Sequence, residues 1–132
     1  MDEIKKIASK VTQAQEDGDI ELLEEILDPD FKAHIADHPY PLSKDAYIQG
    51  VQMAKEAFSN LTYKIEDVIA EKNRVALRIV VEGIHSGNYL GKPAIGKVIK
   101  FYSMVIRLVV KGFVVEEWQV NDQMSLLKSI EQ

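Results

Sequence analysis

Two hydrophobic rhythms divide this chain. Up to about residue 59 the apolar positions recur at helical spacing; from residue 61 they recur every second residue. In the first stretch Ile4, Ile7, Ala8, Val11 and Ala14 form one stripe, with polar residues between them. Gly18 ends that helix and Asp19 is placed to cap the next, which carries Ile20, Leu22, Leu23, Ile26 and Leu27 and stops at "DPD". "FKAHIA" (31–36) reads as a short strand, closed by the proline-bracketed "DHPYPL". Ser43, with Asp45 and Ala46 behind it, opens a third helix that runs to about Ser59, with Tyr47, Val51, Ala54 and Phe58 on one face.

The second stretch contains four strands: "LTYKIEDVIAE", "RVALRIVVEGIH", "KVIKFYSMVIRLVV" and "FVVEEWQVND". "KN" (72–73) and "KG" (111–112) are hairpin turns, "SGNYLGKPAIG" (86–96) is a longer loop, and "QMSLLKSIEQ" is a short final helix. Helices first and an antiparallel meander afterwards define an α+β domain spanning residues 1–132. The third long strand is apolar on both faces, with Phe101, Val105 and Val109 on one and Tyr102, Met104, Ile106 and Leu108 on the other. Helices can cover one face; a second copy of the chain is the simplest cover for the other, so a homodimer through the sheet is expected. A two-residue turn at "KG" pairs Val110 with Phe113, Arg107 with Glu116, Val105 with Trp118, Ser103 with Val120 and Phe101 with Asp122. A bulge would shift this register by one.

Composition narrows the partners. With 46% hydrophobic and 28% charged residues and a net charge of -5, the chain is globular and acidic. That disfavours nucleic acid and anionic membranes, which reward clustered Lys and Arg. The chain has no cysteine, hence no disulfide, thiolate metal site or cysteine nucleophile. "MDEIKKIASKV" lacks a signal-peptide core and no apolar run reaches transmembrane length, so a cytoplasmic protein is expected.

The candidate chemistry gathers at "EEWQVNDQ" (116–123), where Glu116, Trp118, Val120 and Asp122 share one face of the last strand. Flanked by Phe101, Val120 and Trp118, a desolvated Asp122 would have a raised pKa and could move protons next to a carbonyl. Equally, Asp122 stands where it would cap the final helix at Met124 and Ser125. His85 follows the row Val75, Leu77, Ile79, Val81 and Gly83; it is either a donor that polarises a carbonyl or an acid/base partner, or a half-buried histidine bonded to a backbone carbonyl in the loop after it. His34 faces a pocket wall or solvent, and His38 reads as a loop residue. Since His34 and His38 straddle a strand end and nothing brings His85 to them, no metal is expected. Trp118, Tyr102, Tyr89 and Phe101 are candidate pocket walls, and Ser103 joins them in the strand pairing; Phe58 and Tyr63 read as core. Arg107 and Glu116 form a cross-strand pair or an anchor at the pocket mouth.

These features resemble, in order along nearly the whole chain, the SnoaL-like polyketide cyclase (ester cyclase) family of the nuclear transport factor 2-like superfamily. The resemblance rests on "GDIELLEEILDPDFKAH", on the Gly-x-His-x-Gly, Leu-Gly-x-Pro and Gly-Lys of "EGIHSGNYLGKPAIGK", and on the Trp-x-x-x-Asp and Leu-Leu of "EEWQVNDQMSLLKSI". It implies a curved sheet forming a cone around a pocket, closed by helices and usually dimeric. It also implies a cofactor-free and metal-free catalyst in which Asp122 acts as acid/base in ring closure by intramolecular aldol condensation. Two segments depart from the pattern: "SKVTQAQEDGD" lacks the family's aromatic residues, and "IADHPYPLSKD" differs from its usual loop. The expected function is therefore a cofactor-free enzyme acting on a small apolar carbonyl compound. The alternative is a ligand-binding or dimeric scaffold module of the same shape.

Overall fold

In a computed structural model, which describes residues 2–36, 38–89 and 91–131, four helices pack on one six-stranded sheet. Leu90 of the Leu-Gly-x-Pro motif and Asp37 of the proline-bracketed loop lie outside the described residues. The elements run α1 (Asp2–Asp17), α2 (Ile20–Ile26), β1 (Leu27–Ile35), β2 (Leu42–Ser43), α3 (Lys44–Ala57), β3 (Phe58–Glu71), β4 (Arg74–His85), β5 (Val98–Val110), β6 (Phe113–Asn121) and α4 (Gln123–Glu131). Sheet order is β2-β1-β6-β5-β4-β3, antiparallel except where β1 runs parallel to β6. The strands form a mixed, curved, open sheet.

The expected caps form. The Asp19 carboxylate accepts from Leu22 N at the start of α2, and Ser43 Oγ accepts from Ala46 N at the start of α3. One boundary moves: "DPD" does not merely end α2 but lies inside β1. There Asp30 N donates to the Asp28 carboxylate at 2.9 Å, and the pairing with β6 shifts register between Leu27 and Lys32. Proline cannot donate to a ladder, so Pro29 sits in the irregular part of the strand.

Helix α1 lies across the inner face of the sheet and touches β3, β4, β5 and β6. Its stripe of Ile7, Ala8, Val11 and Ala14 is buried against the inward residues of the strands, among them Val75, Leu77, Ile79, Val105 and Val109. The outer face is left open along β5 and β6, where Tyr102 is 48%, Met104 55% and Val120 59% exposed.

The register of the last hairpin decides what faces inward. Lys111 (φ 51°) and Gly112 (φ 86°) make the two-residue turn, and Val110 pairs with Phe113 as expected. Between Val109↔Val114 and Leu108↔Glu116 one extra residue is inserted, a β-bulge. Beyond it Arg107 pairs with Glu117, Ile106 with Trp118, Val105 with Gln119 and Ser103 with Asn121. Because strand side chains alternate, a one-residue slip exchanges the faces. Trp118 therefore points to the outer face, and Glu117, Gln119 and Asn121 point into the cone.

Candidate functional site

The cone holds a chamber of about 480 Å³, open to solvent on one side, with an inner lobe of about 130 Å³. Helix α3 supplies Tyr47, Gly50, Val51 and Ala54 to one side of the chamber, and β1 and β2 add Ile35 and Leu42. Ile79, Val81, Phe101 and Leu126 line the inner lobe, and Tyr63 and Tyr89 border both spaces. Most of this lining is apolar. Its inward polar wall is made of Gln15, Gln119 and Asn121, backed by Ser103 and Arg107, while Glu56, Asn88 and Gln123 add polar groups elsewhere on the lining.

That wall is built on a buried ion pair. Arg107 is 1% exposed and Glu117 0%, and Arg107 Nε donates to Glu117 Oε1 at 2.7 Å. Three more of the guanidinium N–H groups reach Ala8 O (2.8 Å), Thr12 Oγ1 (2.6 Å) and Gln15 Oε1 (3.3 Å). Burial alone disfavours the Arg107 charge, but Glu117 and Tyr47 beside it more than offset this, and its pKa rises. The Tyr47 hydroxyl donates to Glu117 Oε1 at 2.9 Å; burial first, and the neighbouring carboxylate second, push its pKa well above the ordinary value, so it stays a neutral phenol.

From the pair, two hydrogen-bonded arms run out to the chamber, each with its direction forced. A carboxylate only accepts, so Gln119 must turn Nε2 to Glu117 Oε2 (2.6 Å) and its oxygen to Asn121 Nδ2 (2.7 Å). The Asn121 oxygen then takes the Ser103 hydroxyl at 2.7 Å. On the other arm Arg107 only donates, so Gln15 gives it Oε1 and donates Nε2 to the Tyr47 oxygen at 3.0 Å. The polarity of the cavity wall is set by charges that the ligand space hardly touches.

The residues expected to form the site divide into three groups. Tyr89, Phe101, Ser103 and Arg107 line the cavity, and so does Tyr63, expected to be core. Trp118, His34 and Tyr102 lie on the outer face. There His34 stacks on Trp118 (5.5 Å between centroids, 16° between planes) and meets Glu116 Oε2 at 2.6 Å, while Arg74 sits over the Trp118 ring at 5.6 Å. Trp118 and His34 instead border a second, apolar groove of about 460 Å³ with Met104 and Ile106. Arg107 pairs with Glu117, correcting the expected Glu116.

Asp122 and His85 are the third group. Asp122 follows the last residue of β6 and is exposed; its carboxylate accepts from Ser125 N (3.1 Å) and Ser125 Oγ (2.6 Å), capping α4. Those bonds, the side-chain one foremost, lower its pKa, opposite to the expected rise. His85 continues the inward row of β4 but is 0% exposed and packs on Phe58 at 5.6 Å; neither ring nitrogen has a hydrogen-bond partner among the described residues. The structure does not bring it to Asp122. Loop 86–96 reaches the chamber through Asn88 and Tyr89, held by Gly87, where a Cβ would lie 2.2 Å from Glu56 O.

The polar wall was only half legible. Thr12 and Gln15 stand four residues after Ala8 and Val11, hence on the buried stripe of α1, and polar residues at such positions mark an internal network. Glu117, Gln119 and Asn121 carried no signal until the bulge was placed.

A curved sheet around a helix-closed chamber is the α+β cone of the nuclear transport factor 2-like fold. The SnoaL-like polyketide cyclase profile matches residues 5–130, and the chain belongs to that family. Among solved structures it is similar to AclR from Streptomyces galilaeus, a candidate hydroxylase, with 26% identity and a TM-score of 0.90 over 99% of this chain and 97% of that one. It is also similar to IdmH from Streptomyces antibioticus, a candidate polyketide cyclase (25% identity, TM-score 0.86, 98% and 99% covered). A candidate polyketide cyclase from Acidithiobacillus ferrooxidans shares the fold at 21% identity, TM-score 0.86, with 98% and 95% covered. No curated protein matches the chain. No helix among the described residues is long and apolar enough to cross a membrane.

Proposed function

We propose that this chain is a cofactor-free enzyme of the polyketide/ester cyclase type that performs acid/base chemistry on a small, largely apolar carbonyl compound. The observation that carries the reading is the chamber: apolar over most of its lining, of small-molecule size, with one wall of amides. A carbonyl oxygen against that wall would meet N–H donors, which stabilise the negative charge that develops when an α-proton leaves. Membership of a cyclase family and likeness to IdmH support the same class of substrate. The outer face, with Met104, Ile106 and Val120 exposed, supports a homodimer through the sheet, and a cytoplasmic setting belongs to the same proposal.

The acid/base group in this reading is Asp122, whose neighbours Asn121 and Gln123 both line the chamber. One observation favours a second reading, that of a ligand-binding module without turnover: the Asp122 carboxylate is exposed and engaged in its cap. Exchange of α-protons for deuterium in 2-tetralone, followed by NMR in D2O, separates the two. Enzymatic acid/base chemistry accelerates exchange over buffer, and Asp122→Asn lowers that rate about 100-fold or more. Exchange at the buffer rate with bound tetralone leaves the binding module; acceleration that survives Asp122→Asn removes Asp122 from the mechanism.

A further inference from the structure

We infer that Gln15, Gln119 and Asn121 are specificity-determining residues that select neutral ligands carrying acceptor oxygens along one edge. The inference rests on the small-molecule reading of the chamber and adds which polar groups a ligand must bring. A primary amide has two N–H groups. Each of the three uses one inside the network: Gln15 to Tyr47, Gln119 to Glu117, Asn121 to Gln119. Among the described residues none of the second N–H groups has a protein partner. The oxygens stand differently. Those of Gln15, Gln119 and Asn121 already accept from Arg107, Asn121 and Ser103, and the hydroxyl hydrogens of Tyr47 and Ser103 are turned into the network.

Across these three amides every oxygen has a partner and three N–H groups have none, which makes an unequal wall. A ligand acceptor satisfies an N–H that desolvation would otherwise strand; a ligand donor strands it and adds only a second bond to an oxygen already served. Charge narrows the class further. Arg107, the cation at this wall, is neutralised by Glu117, so no uncompensated positive charge there offsets the desolvation of a carboxylate ligand. The Arg107–Glu117 pair acts as a positioning device, because it dictates which end of each amide carries the nitrogen.

9-Fluorenone and carbazole, tricyclic molecules of nearly one shape, test this: the first presents only an acceptor oxygen, the second only an N–H donor. Titration followed by NMR of the side-chain amides should give at least about tenfold tighter binding of fluorenone, the cost of one stranded donor. Gln119→Met or Asn121→Leu, which replace half-buried side chains and leave the ion pair intact, should lower fluorenone affinity severalfold and leave carbazole unchanged. Equal affinity for the two probes, or preference for carbazole, overturns the inference while the chamber stands as a small-molecule site. Failure of both probes to bind overturns the small-molecule reading and the inference with it.

Discussion

Glu116 and Glu117 are neighbours in sequence, yet the bulge gives them opposite fates, and replacing each by glutamine should separate them sharply. Glu117 is fully buried and accepts from Arg107, Tyr47 and Gln119. Glu117→Gln keeps the size but removes the charge, leaving the Arg107 guanidinium buried and uncompensated. It also sets an amide nitrogen against Gln119 Nε2 or Arg107. Removing one partner of a buried pair costs about 3–5 kcal/mol, against a total stability on the order of 5–15 kcal/mol for a domain. With a urea slope of roughly 1–3 kcal/mol/M, the midpoint should fall by at least about 1 M. Among the described residues Glu116 pairs only with His34, with side-chain exposures of 34% and 36%, so Glu116→Gln should cost no more than about 1 kcal/mol. Equilibrium urea unfolding followed by circular dichroism reads both. A Glu116→Gln loss equal to or larger than that of Glu117→Gln would refute the bulged register and the whole assignment of inward and outward faces.

Three further outcomes follow from the same geometry. Tyr47 is raised well above the ordinary tyrosine range and Tyr63 up to about 12, chiefly by burial. The folded chain therefore keeps protons that the unfolded chain releases above about pH 10. The unfolding free energy from urea titrations should hold steady below that pH, then fall above it by up to about 1.4 kcal/mol per pH unit for each tyrosine, with Tyr63→Phe reducing the slope. A Cβ at Gly50, in α3 at the chamber, meets nothing within 4 Å; Gly50→Ala should raise stability by about 0.5–1 kcal/mol, and Gly50→Trp should abolish ligand binding without unfolding. Met104→Glu on the open face should leave a monomer in sedimentation if the wild-type chain is a dimer, with its circular dichroism unchanged.

Helix stripes, caps and four long strands were legible because each rests on local periodicity or a capping side chain: Asp19 and Ser43 behave as their sequence contexts dictate. The site was harder. Period two put Glu116, Trp118 and Val120 on one face, as they are, but nothing in "FVVEEW" marks where an extra residue enters, since Val114 and Val115 suit either side of a sheet. One residue of slip turned the expected pocket face outward and brought in Glu117, Gln119 and Asn121. Asp122 illustrates a different limit. A carboxylate three residues before Ser125 is both a helix cap and a catalytic candidate, and only the geometry of Ser125 N and Oγ shows the cap being used.

The direct test of the account is an NMR titration that watches both faces of β6 at once. With 2-tetralone added to isotope-labelled protein, the side-chain amide signals of Gln119 and Asn121 should move, and the indole N–H of Trp118, the chain's single tryptophan, should stay in place. A shifting indole beside unmoved amides would show the ligand on the outer groove and contradict the inward wall.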